Sequence, residues 1–266
     1  MMLPRRYWHE MTTRDFRGAG TASWIAVLPV AAIEQHGPHL PVYTDTCIAE
    51  GMIRRSIELL PEDLPVTFLP VQAVGKSNEH ISSPGTLTGT WESTTRLWLD
   101  IGDSVRRAGV EKLIVVNSHG GNVPMVDIVA RELRVRHDML CVATAWSRFG
   151  QPDGIAAPEE ALYGIHGGDI ETSIMLHLRP DLVRMEEARD FRSTQLELIK
   201  EFKHLRAHGL IQFGWKAQDL NPHGAVGNAA AATAEKGKQV VDHQARAFVE
   251  LCQDVHAFDV DRLWTP

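Results

Sequence analysis

Four short apolar segments, separated by helical patterns, constrain the fold of this chain more than any other feature of its sequence. They lie at residues 24–32, 66–71, 113–117 and 139–145. None alternates between apolar and polar residues, a pattern typical of strands buried on both faces of a parallel sheet. Helical patterns occupy residues 46–60, 91–108, 123–137, 168–178 and about 229–256. This alternation predicts an α/β fold, with a mostly parallel sheet and helices on both of its faces.

Two less regular segments interrupt the alternation. Residues 150–163 contain two prolines and several acidic residues, and we predict a loop or lid there. Residues 190–223 are polar and irregular, so we expect them to leave the core. The sequence shows no internal repeat, and its length suits one large domain over residues 1–266.

Composition and charge exclude several classes of protein. Of 266 residues, 44% are hydrophobic and 23% are charged, close to the average for soluble domains. No apolar stretch reaches the roughly 18 residues of a membrane span, and the start MMLPRRYWHE lacks the apolar part of a signal peptide. The net charge of −7 comes without a basic block, which disfavours nucleic-acid binding. Three distant cysteines indicate reduced thiols, so we expect a cytoplasmic protein with no membrane partner.

Polar residues follow the predicted strands where a parallel sheet binds its ligands, beyond the carboxyl ends of the strands. Three such clusters lie at residues 34–45, 75–80 and 118–122, and a fourth at 164–172 opens a helix. Glu34 and His36 are two residues apart, so their side chains share a face in an extended segment. With Asp45, which the Gly-Pro turn could fold back over that face, they form a donor set suited to Zn, Mn or Fe. Alternatively, Asp45 caps a helix and the other two are solvated loop residues.

The clusters at 118–122 and 164–172 also leave alternatives open. His119 directly follows a buried strand and precedes Gly120 and Gly121, which leave room for a ligand against the backbone. A lone histidine at a strand end can equally be structural. His166 and Glu171 flank the start of a predicted helix, where Glu171 could simply complement the helix dipole. A phosphate-binding lysine and a G-x-G-x-x-G motif are both lacking, which disfavours nucleotide binding.

Taken together, these motifs resemble the creatininase (creatinine amidohydrolase) family. They are LPVAAIEQHG with Glu34-x-His36, Asp45, the turn Asn-x-His119-Gly-Gly-Asn, and His166-Gly-Gly-x-x-Glu171-Thr-Ser. The segment 228–237, ending ATAEKG, is similar to the family's entry to its last helix. The resemblance extends over about residues 20–255.

The resemblance implies a three-layer α/β/α fold, often assembled as a homo-hexamer, and a metal-dependent amidohydrolase. One or two divalent ions per chain (Zn, Mn or Fe) would serve a small-molecule substrate. Metal ligands are matched by Glu34, His36, His119 and Asp45, the last as the bridging ligand. His166 matches the histidine that handles the proton of the cleaved bond, and Ser77 a substrate-contacting serine. Four further substrate-binding candidates are His80, Gly120, Gly121 and Tyr163.

One departure from the family pattern concerns the substrate. Creatinine-cleaving members carry Tyr-Glu, with the Glu a metal ligand, where this chain has Gly120 and Gly121. They also carry Trp-Asp where it has Leu162 and Tyr163. Other branches share His-Gly-Gly-Asn and act on formamides, modified peptides or other small amides, and there Glu171 resembles the acid that completes the metal set.

We therefore predict a hydrolase that cleaves a C–N bond of a small, cyclic amide other than creatinine. Metal-activated water would attack, with His166 and Glu171 as catalytic residues. A metal-dependent lactonase and a non-catalytic metal-binding scaffold are the alternatives. A serine hydrolase is disfavoured because the sequence lacks a Gly-x-Ser-x-Gly elbow.

Overall fold

The strands of the central sheet are parallel, so their carboxyl ends lie along one edge of the sheet, and the polar clusters follow these ends. A computed structural model describes residues 3–17 and 20–264. Its main sheet has four parallel strands in the order β2-β1-β3-β4. These are β1 (Ile25–Val30), β2 (Val66–Phe68), β3 (Lys112–Asn117) and β4 (Leu140–Ala145). An antiparallel pair, β5 (Asp190–Phe191) and β6 (Gly227–Asn228), lies apart from this sheet.

Helices cover both faces of the sheet, which confirms the predicted three-layer α/β/α architecture. Their bounds are α1 (Thr13–Phe16), α2 (Thr44–Leu59), α3 (Trp91–Arg107), α4 (Val123–His137), α5 (Pro158–Tyr163), α6 (Asp169–Leu178), α7 (Gln195–Glu201), α8 (Ala217–Leu220) and α9 (Ala234–Ala257). Apolar side chains of α2, α6 and α9 form one core layer with the sheet, and those of α3 and α4 form the other. In the part of the chain that is described, no helix is both long and apolar enough to cross a membrane.

Strand β1 shows why the apolar segments lack alternation. Ile25 and Val27 pack into the layer of α2 and α9, whereas Ala26, Leu28 and Val30 pack into the layer of α3 and α4. Because successive side chains of a strand point to opposite faces, a central strand with a helix layer on each side must be apolar throughout.

The outer strand β4 differs from the prediction of burial on both faces. Its first four residues, 140–143, are half-buried. The physical reason is its position, because β4 lies at the end of the strand order and, in the described part of the chain, only β3 pairs with it in the main sheet.

The predicted lid and the predicted excursion both contain regular structure. Residues 150–163 end in α5, and residues 190–223 contain β5, α7 and α8. Val226 directly precedes β6 and forms an antiparallel bridge with His166. The segment outside the main sheet therefore holds one of the candidate catalytic residues in place.

Candidate metal centre

The carboxyl ends of β1 and β3 bring four predicted ligands together in the interior. Glu34 and His36 follow β1, Asp45 lies in the first turn of α2, and His119 follows β3. All four side chains are buried. Asn117 shapes the turn after β3, because its Oδ1 accepts a hydrogen bond from the His119 amide at 3.0 Å.

Asp45 is the centre of this cluster. Its Oδ1 lies 3.3 Å from His36 Nε2, and its Oδ2 lies 3.3 Å from His119 Nδ1. Glu34 Oε1 lies 3.1 Å from the same His119 nitrogen. Glu171 Oε2 is 3.9 Å from His36 Nε2 and accepts a hydrogen bond from the Gly167 amide at 2.6 Å.

Among the described residues, three sets of side chains each bring potential ligand atoms within 4.8 Å of one another. They are Glu34 with Asp45 and His119, His36 with Asp45 and Glu171, and Glu34 with His36 and His166. Asp45 belongs to the first two sets, so its two carboxylate oxygens can serve two neighbouring ions. This is the placement expected of a bridging ligand.

Three histidine rings of the cluster are oriented by backbone carbonyl groups. The bonds join His36 Nδ1 to the Glu34 oxygen at 3.0 Å, His119 Nε2 to the Lys76 oxygen at 3.0 Å, and His166 Nε2 to the Gln35 oxygen at 2.7 Å. Because a carbonyl only accepts, each of these nitrogens carries the hydrogen. The other nitrogen of each ring is left to bind a proton or a metal ion.

Buried atoms without partners show that these residues fit a metal. Within residues 3–17 and 20–264, both carboxylate oxygens of Glu34, Nε2 of His36 and Oδ2 of Asp45 are buried without a hydrogen-bond partner. Each such group costs roughly 1–3 kcal/mol of stability if nothing satisfies it. Carboxylate and imidazole donors at this spacing suit a divalent ion of the Zn, Mn or Fe type.

Electrostatics inside the cluster separate its histidines into two kinds. Burial alone would lower the pKa of His36, but the facing carboxylates, Asp45 foremost, outweigh it and raise the pKa to about 9. The pKa of His119 is likewise raised despite its burial, chiefly by Glu34. Burial lowers the pKa of His166 to about 4 and that of His80 to about 2, so both rings are neutral at pH 7.

Other predicted residues also reach the cluster. His80 Nε2 lies 3.4 Å from Glu34 Oε1, and the His80 ring stacks on the ring of His166 with centroids 4.3 Å apart. The ring centroid of His166 also lies 4.1 Å from that of His36. Ser77 is buried, with its Oγ 3.3 Å from His119 Nε2.

The remaining substrate-binding candidates lie less close together. Gly120 is exposed, and a Cβ added there would meet nothing within 4 Å. A Cβ on Gly121 would lie 2.0 Å from an oxygen of Glu79. Tyr163 lines a separate cavity of about 170 Å³ beside α5, and its ring centroid is 6.3 Å from that of His208. Their proposed contacts with substrate stay predictions.

Sequence reasoning missed two side chains of the site. Gln35 donates from its side-chain nitrogen to His80 Nδ1 at 2.7 Å. Its own backbone oxygen anchors His166. Glu79 Oε1 lies 3.4 Å from His119 Nε2, and burial of the Glu79 carboxylate is outweighed by this histidine, which lowers its pKa to about 2. Both residues lie inside the polar clusters that follow the strands, and this position is the sequence feature that could have identified them.

Comparison with known proteins agrees with this geometry. The family model described as creatinine amidohydrolase, Creatininase, matches residues 9–252. A mycofactocin precursor peptide peptidase of Mycobacterium ulcerans is 32% identical, over 92% of this chain and 88% of its own. A creatinine amidohydrolase of Pseudomonas putida is 30% identical, over 68% of this chain and 75% of its own.

A solved structure, "Creatininase Mn", superposes with a TM-score of 0.76 at 23% identity, over 95% of this chain and 99% of that one. At that identity the superposition establishes the fold. The relationship in sequence is established by the family model and by the peptidase, and each of these matches extends over nearly the whole chain. The chain is thus a hydrolase that belongs to the creatininase family.

Proposed function

We propose that this hydrolase is metal-dependent and cleaves an amide bond of a peptide. The observation that carries the proposal is the double use of Asp45, whose two oxygens face His36 and His119 in two overlapping sets of ligand atoms. The buried, partnerless oxygens of Glu34 support it.

In this proposal the two sets supply the ligands of two ions. Glu34, Asp45 and His119 would hold one, and His36, Asp45 and Glu171 the other, with Zn, Mn or Fe as candidates. When bound, such ions lower the pKa of a water molecule toward about 7 and polarise the carbonyl group under attack.

His166 is placed to move a proton in this reaction. Its Nε2 hydrogen is held by the Gln35 carbonyl, and its Nδ1 lies 3.6 Å from Glu34 Oε1, facing the cluster. A neutral ring accepts a proton at Nδ1 as water attacks the carbonyl carbon. The same nitrogen then delivers that proton to the amide nitrogen as the C–N bond breaks.

Two observations support a peptide as the substrate: the name of a relative and the open space at Gly120. The relative with the widest match above is named as a peptide peptidase. Gly120 leaves open space where creatinine-cleaving members carry a tyrosine. The predicted small cyclic amide and the lactone alternative are tested in the same experiment, whereas the non-catalytic scaffold is disfavoured by the named enzymes of the family.

The test combines metal analysis with a substrate panel. Protein purified without chelator is analysed for Zn, Mn and Fe, and is then assayed on short peptides, formamides, cyclic amides and lactones. One or two ions per chain and hydrolysis of a peptide bond support the proposal. Activity confined to lactones would overturn the amide assignment, and activity unchanged after metal removal would overturn the metal.

Creatinine is expected to be a poor substrate. Gly120 and Gly121 supply neither the aromatic contact nor the carboxylate of creatinine-cleaving members. The loss of well-placed polar contacts in a buried site lowers kcat/KM for the substrate that needs them by about 10²-fold or more. Steady-state kinetics with metal-loaded enzyme should give a kcat/KM below roughly 10⁴ M⁻¹s⁻¹ on creatinine, and a value inside the usual range of about 10⁴–10⁸ would contradict this expectation.

Metal affinity is expected to rise with pH up to about 9. In the metal-free protein His36 has its pKa raised to about 9, so below that pH an incoming ion must displace its proton. The proton of His119, whose pKa is also raised, must be displaced in the same way, and each displaced proton weakens binding about tenfold for each pH unit below the pKa of its group. Calorimetric Zn²⁺ titrations in buffers of different ionisation enthalpy measure the protons released. Affinity that stays constant from pH 6 to 9 would contradict the assignment of His36.

A further inference from the structure

We propose that Glu79 is a positioning residue for the metal centre, and that Gly121 is a glycine because Glu79 occupies the space beside it. The inference rests on the proposed function, since it concerns how His119 is presented to a metal. It adds a residue that neither the predicted ligand set nor the three sets of ligand atoms contain.

The two edges of the His119 ring face different surroundings. The Nδ1 edge faces the carboxylates of Glu34 and Asp45 at 3.1 and 3.3 Å. The Nε2 edge faces the Lys76 carbonyl at 3.0 Å, Ser77 Oγ at 3.3 Å and Glu79 Oε1 at 3.4 Å. A hydrogen on Nε2 is therefore accepted by the Lys76 carbonyl, with the negative charge of the Glu79 carboxylate beside it, and Nδ1 is directed at the metal set.

Glu79 is held in this place by its own contacts. It lies on the short 3-10 turn Asn78–His80, and its side chain is 12% exposed. Its second oxygen, Oε2, accepts from Lys76 Nζ at 3.1 Å. A nearly buried carboxylate that bonds one cation and faces one imidazole has little freedom to turn away.

Gly121 is the position that allows this contact. A Cβ at residue 121 would lie 2.0 Å from Glu79 Oε1, 2.4 Å from His119 Nε2 and 2.7 Å from the Lys76 carbonyl oxygen. The last of these atoms belongs to the backbone and cannot simply turn aside. A Cβ on the neighbouring Gly120 would meet nothing within 4 Å, so the two glycines of the turn meet different constraints.

A carboxylate behind a metal-binding histidine acts in two ways. It fixes the ring orientation and tautomer, and it makes the ligating nitrogen more basic. Loss of such a partner typically weakens metal affinity by about 10–100-fold. The competing explanation is that the Lys76 carbonyl and the Ser77 hydroxyl orient His119 without Glu79, in which case removal of Glu79 leaves affinity unchanged.

The experiment measures Zn²⁺ and Co²⁺ affinity of metal-free protein by calorimetry. Glu79→Ala is expected to weaken binding about 10–100-fold, and Glu79→Gln less, since its amide oxygen still accepts without the charge. The visible absorption of the Co²⁺ protein should change in Glu79→Ala, because the orientation of His119 is altered. Wild-type affinity and an unchanged spectrum in Glu79→Ala would overturn this inference alone, whereas wild-type protein that binds no metal would overturn the proposed function as well.

The two glycines provide a matched pair of variants. Gly121→Ala should weaken metal binding at least as much as Glu79→Ala, and Gly120→Ala should keep the wild-type metal affinity. Far-ultraviolet circular dichroism of the metal-free variants checks that each is folded. Equal metal affinity in the two alanine variants would overturn the part of the inference that concerns Gly121.

Discussion

Replacement of Asp45 by asparagine is expected to abolish turnover and to remove nearly all bound metal, while the fold is kept. Both proposed ions lose the same ligand, because Asp45 belongs to the Glu34/His119 set and to the His36/Glu171 set. Asparagine has nearly the same volume, so the buried packing is conserved while the charge between the two histidines is lost. Metal content by mass spectrometry and turnover on a peptide substrate are the measurements.

Two further variants make this prediction sharp. Glu58→Gln removes a carboxylate from the exposed side of the same helix α2, and it should retain full metal content and rate. His36→Ala should also abolish turnover, but it leaves the set of Glu34, Asp45 and His119 intact and should therefore keep about one ion. An Asp45→Asn protein with wild-type metal content would show that the shared carboxylate is not a ligand.

The sheet could be predicted from sequence because its central strands are buried on both sides. Segment 24–32 contains the whole of β1, and segment 113–117 covers all of β3 except its first residue. What could not be predicted is which strand lies at the edge, since strand order depends on contacts distant in sequence. Strand β4 is as apolar in sequence as its neighbours, yet its first residues are only half-buried.

The last helix shows a second limit. The alanines at 229–232 favour helix in sequence, but residues 229–231 form a 3-10 turn and Ala232 is extended. The helix begins at Ala234 because Thr233 caps it, accepting a hydrogen bond from the Lys236 amide at 3.3 Å. A capping side chain outweighs local helix propensity at this position.

The predicted ligands lie together because the end of a strand fixes the position of the residues that directly follow it. Glu34, His36 and His119 follow neighbouring parallel strands, and that placement alone brings them to one edge of the sheet. The roles of Glu79 and Tyr163 depend instead on the path of a loop and on side-chain rotamers. Neither of these follows from spacing, so Glu79 was missed, and the substrate contact predicted for Tyr163, which lines a cavity beside α5, stays a prediction.

His166→Ala is expected to keep its metal and to lose turnover on an amide by about 10²–10⁴-fold. The amide nitrogen is a poor leaving group until it is protonated, and His166 Nδ1 faces the cluster where that proton is delivered. An ester or lactone of similar shape should lose less activity, because its leaving oxygen needs less protonation. The ratio of kcat/KM on the amide to that on the ester, for wild type and variant, measures the difference.

His177→Ala is the matched control, because it removes an exposed histidine from helix α6, which directly follows the His166 turn. It should retain both rates. His166 also belongs to a set of ligand atoms with Glu34 and His36, so metal content decides between two roles. Loss of an ion in His166→Ala would make His166 a ligand, and equal losses on amide and ester with metal retained would make it a residue that positions substrate. A loss confined to the amide, with both ions in place, is the result that a proton-transferring imidazole requires.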